Sequence, residues 1–229
     1  MLLLGVFIQI LFSINAQTFD STGLPAKAGI EKDPTVTRTD RWPSFIMPTA
    51  CIGYGLVNLG KDAPFNIDLH YQHSTQSDWK LGHTHIDNYL QFVPAFGVYA
   101  LDAFNIKPAH GFWQRSKIFI AGNILVAASV FSVKNLHYVE RPDKSDRHSF
   151  PSGHTAIAFL GADFFYREFR YTKKWWIYSG YVVATAVGAY RIINNKHWLS
   201  DVVAGAGFGI LSNRISYFIL DKKSHRKRK

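Results

Sequence analysis

Five apolar segments, separated by charged loops, run from residue 86 to residue 220 of this 229-residue chain. A helix that spans a bilayer needs about 20 mainly apolar residues. Most of the segments come close to that length, and only 18% of all residues are charged, against about 25% in an average soluble domain. The pattern predicts an all-α, membrane-embedded bundle of about five to six core helices, with a soluble all-α protein as the alternative. The segments are 86–104, 117–136, 153–167, 175–193 and 200–220.

Small residues are concentrated in the last of these segments. Five small residues lie within six positions: Ala204, Gly205, Ala206, Gly207 and Gly209. Small side chains let two helices approach each other closely in a membrane. We therefore expect close helix packing around this segment.

The N-terminus predicts export from the cytoplasm. Residues 2–14 form an apolar stretch that has the length of a signal-peptide core and is too short to span a bilayer comfortably. Ala16 supplies a small residue before Gln17, so the predicted signal peptide is 1–16, and a retained anchor is the alternative. Residues 17–42 contain several prolines and glycines and predict an irregular exported segment.

Residues 43–220 form the predicted bundle domain, but its first part has two interpretations. Residues 43–60 are apolar and short. If the N-terminus is exported, a full crossing here would invert every later loop, so we expect a short, peripheral or re-entrant segment. If the signal is not used, this segment is the first crossing instead. The four histidines of loop 61–85 match no strong pattern of metal ligands, and no metal site is predicted.

Basic residues indicate which loops face the cytoplasm. The net charge is +10, and residues 222–229 alone contain six Lys or Arg. A basic cluster directly after an apolar segment is typical of a cytoplasmic anchor, so 221–229 is predicted as a cytoplasmic tail and not as a nucleic-acid site. Loops 105–117 and 167–174 are also basic. The opposite loops, 137–152 and 191–200, would then share the other side of the membrane.

Those two opposite loops and the helix ends beside them carry residues suited to binding phosphate. Arg141 and Arg191 offer planar forks of donors to phosphate oxygens, and Lys134 adds a third positive charge. Ser152 is a predicted N-cap at a helix start, where free amides and the helix dipole favour an anion. Gly153 lets the backbone come close to a ligand.

Two histidines and one carboxylate in the same regions predict a reaction at that phosphate. His197 and Asp201 are four residues apart, so on a helical turn they lie on one face. A carboxylate beside an imidazole fixes its tautomer and makes it a better nucleophile. We predict His197 as the nucleophile that forms a phosphohistidine and Asp201 as its orienting group. His154 is predicted to protonate the leaving oxygen and then to activate water.

Taken together, these clusters resemble the three signatures of the type 2 phosphatidic acid phosphatase superfamily. The matching stretches are K-x6-R-P from Lys134, PSGH at 151–154 and R-x5-H-x3-D from Arg191. The resemblance covers 134–201 directly, and the hydrophobic pattern extends it to about 43–220. Tyr190 stands where the family has a serine, which affects one hydroxyl contact and leaves the main roles intact.

The resemblance implies a metal-independent phosphatase without a cofactor that acts on mono- or diphosphate esters of a membrane lipid. Lipid A, undecaprenyl diphosphate and phosphatidyl phosphates are the candidate substrates. The implied location is the bacterial inner membrane, with the site at the periplasmic ends of the helices. The implied partners are the lipid phosphate and the membrane, with no nucleic acid and no obligate protein partner. A soluble periplasmic acid phosphatase of wide specificity is the alternative, because such proteins share the signatures.

Overall fold

A computed structural model describes residues 43–59 and 85–227, and side chains as far as residue 221. The predicted segments 1–16 and 17–42 and nearly all of loop 61–85 lie outside the described residues. The described chain is helical and contains no strand, only a single bridge between Val139 and His148. The predicted all-α fold is confirmed. The α-helices are α1 (Pro43–Val57), α2 (Asp87–Leu90), α3 (Val93–Ala103), α4 (Phe112–Leu136), α5 (Gly153–Phe169), α6 (Ser179–Ile193) and α7 (Leu199–Lys227).

Helix α5 is the centre of the bundle. Nearly every side chain from Thr155 to Phe169 is buried, whichever face of the helix it occupies. A helix that is buried on all sides must be surrounded by other elements, and α5 packs against α3, α4, α6 and α7. Its first turn, which carries the PSGH cluster, is therefore enclosed by the ends of neighbouring helices.

Helix α4 buries one face and exposes the other. Ile118, Gly122, Val126 and Val130 recur every four residues and are buried, so they form one stripe along the helix. On other faces, Ile124 is 62% exposed and Phe131 is 71% exposed. A long exposed apolar face is typical of contact with lipid. By length and composition, Phe112–Leu136 and Leu199–Asp221 could each cross a membrane.

Glycines allow helix α7 to approach its neighbours closely. A Cβ atom at Gly205 would lie 2.5 Å from the carbonyl oxygen of Ser152. A Cβ atom at Gly207 would lie 2.6 Å from the carbonyl oxygen of Pro48 in α1. The close packing expected from the small residues of this segment is thus present on two sides of the helix. On one side it joins α7 to α1, so residues 43–57 form a helix packed against the bundle.

Several predicted segments have different bounds in the structure, since α4 begins at Phe112 instead of 117 and α6 begins at Ser179 instead of 175. Segment 86–104 was expected as one helix, but the chain turns at Gln91–Phe92 and forms α2 and α3. Pro94 lies in the first turn of α3, a position that proline favours, so the second helix starts afresh there. Helix α7 continues to Lys227, whereas its predicted end was residue 220.

Two charges that were counted in the basic loops are buried in ion pairs. Arg115 is 2% exposed, and its Nη2 atom lies 2.6 Å from Asp102 Oδ2. Arg167 is 6% exposed and is paired at 2.8 Å with Asp163. Because a carboxylate neutralises each of them, these arginines do not add to the positive charge of loops 105–117 and 167–174. The basic residues that remain in those regions are Lys107, which is largely exposed, Lys117, Arg170, Lys173 and Lys174.

Candidate active site

The two loops that carry the predicted site residues are bound to each other. The backbone amide of Asp143 donates to the carbonyl oxygen of Asn195 at 3.1 Å. The Asp143 carboxylate pairs with Lys196 at 2.5 Å, and the Trp198 indole donates to the Glu140 carbonyl oxygen at 2.8 Å. Loop 137–152 and loop 194–198 therefore form one surface at one end of the bundle.

The starts of helices α5 and α7 meet beneath this surface. The amide of Ser152 donates to the Asp201 carbonyl oxygen at 3.0 Å. The lack of a side chain at Gly205 permits this approach, since a Cβ atom there would overlap the Ser152 backbone. Helix α5 begins at Gly153 and α7 begins at Leu199. The PSGH cluster and the His197–Asp201 pair are thus neighbours in space.

His197 and Asp201 form a buried pair. The Nδ1 atom of His197 lies 3.3 Å from Oδ2 of Asp201, and their side chains are 3% and 1% exposed. The same carboxylate oxygen accepts from the Trp198 amide at 2.9 Å and from the Ser149 hydroxyl. Since Nδ1 faces the carboxylate, Nε2 is the ring nitrogen that remains for a substrate.

The surroundings of His197 favour its neutral form. Burial lowers the pKa of His197 below its ordinary value of 6.5, and the nearby charges of Arg191 and Lys134 lower it further, while Asp201 opposes them. A neutral imidazole has a free lone pair, and a nucleophile requires one. The site therefore favours neutral His197 at neutral pH, which is the form that the predicted nucleophile requires.

The three predicted cations have different partners. Lys134 Nζ donates to the carbonyl oxygen of His148 at 2.5 Å. Arg141 lies 3.4 Å from Asp146, and Arg191 Nη1 lies 2.7 Å from Asp87. These contacts hold all three side chains in place around the end of the bundle.

Arg141 and Arg191 each have one buried hydrogen-bond donor that is unpaired among the described residues. The Nε atoms of Arg141 and Arg191 are buried and have no hydrogen-bond partner among the described residues. Buried donors are almost always paired in folded proteins. Phosphate oxygens would satisfy these two N–H groups, so the donor set fits the predicted anion.

The PSGH turn differs from its prediction in one bond. Ser152 occupies the N-cap position of α5, as expected, but its side chain caps no backbone amide. Its hydroxyl instead pairs with Thr155 Oγ1 at 2.9 Å, because the two side chains are three residues apart on one face. At Gly153 an added Cβ atom would meet only Val130, at 3.9 Å, within the described part of the chain. Space for a ligand therefore exists beside the Gly153 backbone.

His154 is close to residues of the other two clusters. Its Nε2 atom lies 2.8 Å from Asn88 Oδ1, and the adjacent residue, Asp87, pairs with Arg191 at 2.7 Å. Lys134 is close enough to Arg141, Asp201 and Arg191 for their charges to act on its ammonium group. The structure thus brings all eight predicted site residues to one end of the bundle.

Three residues of this region were missed by sequence reasoning. Ser149 donates to Asp201, Asp87 pairs with Arg191, and Asn88 Oδ1 lies 2.8 Å from His154 Nε2. Asp87 could have been found from the sequence, because placing an acidic residue in an apolar membrane segment costs free energy and most often marks a functional site. Ser149 and Asn88 had no such signal, since their contacts arise from tertiary packing.

Comparisons with known proteins identify the family of the chain. The sequence profile of the PAP2 superfamily matches residues 59–224. A lipid A 1-phosphatase of Porphyromonas gingivalis is 36% identical over 158 residues, which is 69% of this chain and 36% of that protein. The chain therefore spans about a third of the length of this curated relative.

Two solved structures are also similar. One is the Aquifex aeolicus LpxE, with a TM-score of 0.49 and 23% identity, covering 68% of this chain and 97% of the other. The other is the transmembrane PAP2 type phosphatidylglycerolphosphate phosphatase from Bacillus subtilis, with a TM-score of 0.49 and 17% identity, covering 79% and 96%. The family match spans most of the chain and includes every predicted site residue. The chain belongs to the PAP2 superfamily.

Proposed function

We propose that this protein is a metal-independent phosphatase that hydrolyses a phosphate ester of a membrane lipid through a phosphohistidine on His197. The observation that carries the proposal is the buried His197–Asp201 pair, joined at 3.3 Å and close to Arg191 and Lys134. An oriented imidazole beside fixed positive charges has the parts needed to attack phosphorus. Membership of the PAP2 superfamily supports a phosphoric ester hydrolase.

In the first step, Nε2 of His197 attacks the phosphorus atom. A bond forms between that nitrogen and phosphorus, and the bond from phosphorus to the lipid oxygen breaks. His154 donates a proton to the departing oxygen, so the lipid leaves as a neutral alcohol. The Asp201 carboxylate stabilises the positive charge that develops on the His197 ring.

In the second step, water replaces the histidine. His154, which has lost its proton, takes one from a water molecule. The water oxygen bonds to phosphorus, the bond to Nε2 of His197 breaks, and inorganic phosphate is released. The enzyme returns to its starting state, with the proton from water on His154.

The cations supply the charge stabilisation that a metal ion provides in other phosphatases. Lys134, Arg141 and Arg191 neutralise the phosphoryl oxygens, on which charge is spread in the transition state. Ser152 and Gly153 add the amide end of helix α5, where the helix dipole favours an anion. EDTA is expected to leave activity unchanged, and strong inhibition by EDTA would contradict this part of the proposal.

The proposed substrate is a lipid phosphate, and lipid A is favoured over undecaprenyl diphosphate and phosphatidyl phosphates. The support is the similarity to a protein named lipid A 1-phosphatase. The exposed apolar face of α4 supports a substrate that arrives from the bilayer. We propose the bacterial inner membrane as the location, with the site facing the periplasm.

The proposed side of the membrane can be tested by labelling. Cys51 is the single cysteine of the chain, so a Cys51→Ala background allows a new cysteine at Ser145, which is exposed in loop 137–152. A membrane-impermeant thiol reagent added to intact spheroplasts is expected to label Ser145→Cys. Labelling only after the cells are broken would place the site in the cytoplasm.

Phosphate release from purified protein in detergent tests the function itself. Lipid A, undecaprenyl diphosphate and phosphatidic acid are compared as substrates, and lipid A is expected to react fastest. His197→Ala is expected to abolish release, whereas the exposed His137→Ala serves as a matched control and stays active. Full activity of His197→Ala would disprove the proposed nucleophile.

The alternative, a soluble periplasmic acid phosphatase, is tested by fractionation. The proposal predicts that the protein pellets with membranes and requires detergent for extraction. Recovery of active protein in the supernatant after membrane pelleting would favour the soluble alternative.

A further inference from the structure

The short helix α2 contacts the site through two consecutive residues. Asp87 Oδ2 lies 2.7 Å from Nη1 of Arg191. The next residue, Asn88, places its Oδ1 atom 2.8 Å from Nε2 of His154. Neither residue belongs to the three signature clusters. One turn of helix thus reaches both a phosphate-binding group and the general acid of the proposed function.

Taking the proposed function as given, we infer that Asn88 is a positioning residue that acts through His154. Its amide oxygen has no proton, so it accepts a hydrogen bond from Nε2. The Nε2 atom therefore carries a proton in both charge states of the ring. Proton exchange with the substrate and with water is left to Nδ1 of His154.

The position of Asn88 is fixed by the rest of the turn. Its backbone amide donates to the carbonyl oxygen of His85 at 3.1 Å. Its own carbonyl oxygen accepts from the Gln91 side chain at 2.8 Å. Asp87, which is 1% exposed, binds the turn to α6 through Arg191, and a buried ion pair of this kind is costly to break. The acceptor is therefore held at one place relative to the His154 ring.

The acceptors of the two histidines differ in charge, and the difference matches the proposed roles. His197 has the carboxylate of Asp201, which stabilises the imidazolium that forms when the nucleophile attacks. His154 has a neutral amide, which stabilises the N–H bond without favouring the charged ring as strongly. A group that must give up a proton and then take one back is served by a neutral acceptor.

The dependence on the leaving group tests this inference. Dodecyl phosphate releases an alkoxide that needs a proton, whereas p-nitrophenyl phosphate releases a stable phenolate. Because kcat/KM reports the first transfer, loss of His154 function reduces it more for dodecyl phosphate. For Asn88→Ala we expect a loss of about 30-fold on dodecyl phosphate and about threefold on p-nitrophenyl phosphate, less than the full contribution of a general acid because His154 itself is still present.

Two further variants separate positioning from a general loss of structure. Asn88→Asp keeps the acceptor and adds a negative charge, so it is expected to restore kcat/KM for dodecyl phosphate, which reports only the first transfer. It is also expected to move the basic limb of the pH profile to higher pH, since a carboxylate favours protonated His154. In a His154→Ala background, Asn88→Ala should cause no further loss. Tyr89→Phe, on the same turn and exposed, is the matched control and should behave like the wild type.

Each outcome has one meaning. Unequal losses on the two substrates, restored by Asn88→Asp and absent in the His154→Ala background, support the inference. Equal losses on both substrates, or a further loss in that background as large as in the wild type, overturn it while leaving the phosphatase intact. Absence of phosphate release by the wild type would instead overturn the proposed function.

Discussion

The Nδ1 atom of His197 lies 3.3 Å from Oδ2 of Asp201, and the carboxylate is held by the Trp198 amide and the Ser149 hydroxyl. This arrangement predicts that Asp201→Asn slows phosphate release by about a thousandfold, because the wrong tautomer of the nucleophile becomes favoured. Steady-state kinetics with dodecyl phosphate would measure the loss. Glu140→Gln, an exposed acid in the neighbouring loop, is the control and is expected to keep wild-type rates.

The space beside Gly153 gives a second prediction. Among the described residues, a Cβ atom there would meet only Val130, at 3.9 Å, so Gly153→Ala is expected not to lower the melting temperature. The methyl group would occupy space proposed for the phosphate. We therefore expect the affinity for vanadate, which mimics phosphate, to fall about tenfold, which corresponds to about 1.4 kcal/mol. Inhibition constants for vanadate and thermal unfolding of Gly153→Ala would measure the two effects. Unchanged vanadate affinity would show that the phosphate lies elsewhere.

The close approach at Gly205 gives a third prediction. A Cβ atom at this position would lie 2.5 Å from a backbone oxygen of Ser152, which has no side-chain freedom to move away. We expect Gly205→Ala to destabilise the protein by about 2 kcal/mol, as is usual for overpacking, and to lower activity because Asp201 shifts from the α5 terminus. Thermal unfolding in detergent would measure the change.

Gly53 provides the control for this substitution. It lies within helix α1, and an added Cβ atom would meet no described residue within 4 Å. Gly53→Ala is expected to stabilise the protein by about 0.5–1 kcal/mol, because alanine is the better helix former. Equal effects of the two substitutions would contradict the role assigned to the contact between α5 and α7.

The features of the fold and of the site that could be predicted from the sequence are those that depend on neighbouring residues along the chain. The spacing of His197 and Asp201, the helix start at Ser152 and the small residues of α7 follow from neighbours along the chain. All three have counterparts in the structure, although the Ser152 side chain bonds to Thr155 and not to a backbone amide.

Features that depend on tertiary contact were not predictable in the same way. Asn88 meets His154 across 66 residues of sequence, and no local pattern indicates such a contact. Arg115 and Arg167 were counted as loop charges, but each is buried beside a carboxylate. Burial of a charge depends on a partner from the folded chain, so composition alone could not reveal it.

A partly buried histidine at the other end of the bundle gives a fourth prediction, which concerns stability. Burial opposes protonation of His110, but hydrogen bonds to Asp221 and Glu168 outweigh it and raise its pKa from 6.5 to about 9. A raised pKa in the folded state stabilises the protein below the unfolded value. This stabilisation is lost as pH rises from 6.5 through about 9.

Thermal unfolding at pH 6 and pH 10 measures this effect. The wild type is expected to lose about 3 kcal/mol more than His110→Gln between these pH values, because 1.36 kcal/mol corresponds to each pKa unit. Equal losses in the two proteins would show that His110 does not stay protonated in the fold.

The most direct test of the central claim is to trap the reaction on the protein. Purified enzyme is mixed with a substrate that carries a labelled phosphate, quenched in base and mapped by mass spectrometry. The proposed mechanism predicts a base-stable phosphoryl group on His197, formed in the wild type and absent from His197→Ala. A phosphoryl group on another residue, or turnover by the wild type without any phosphorylated enzyme, would contradict it.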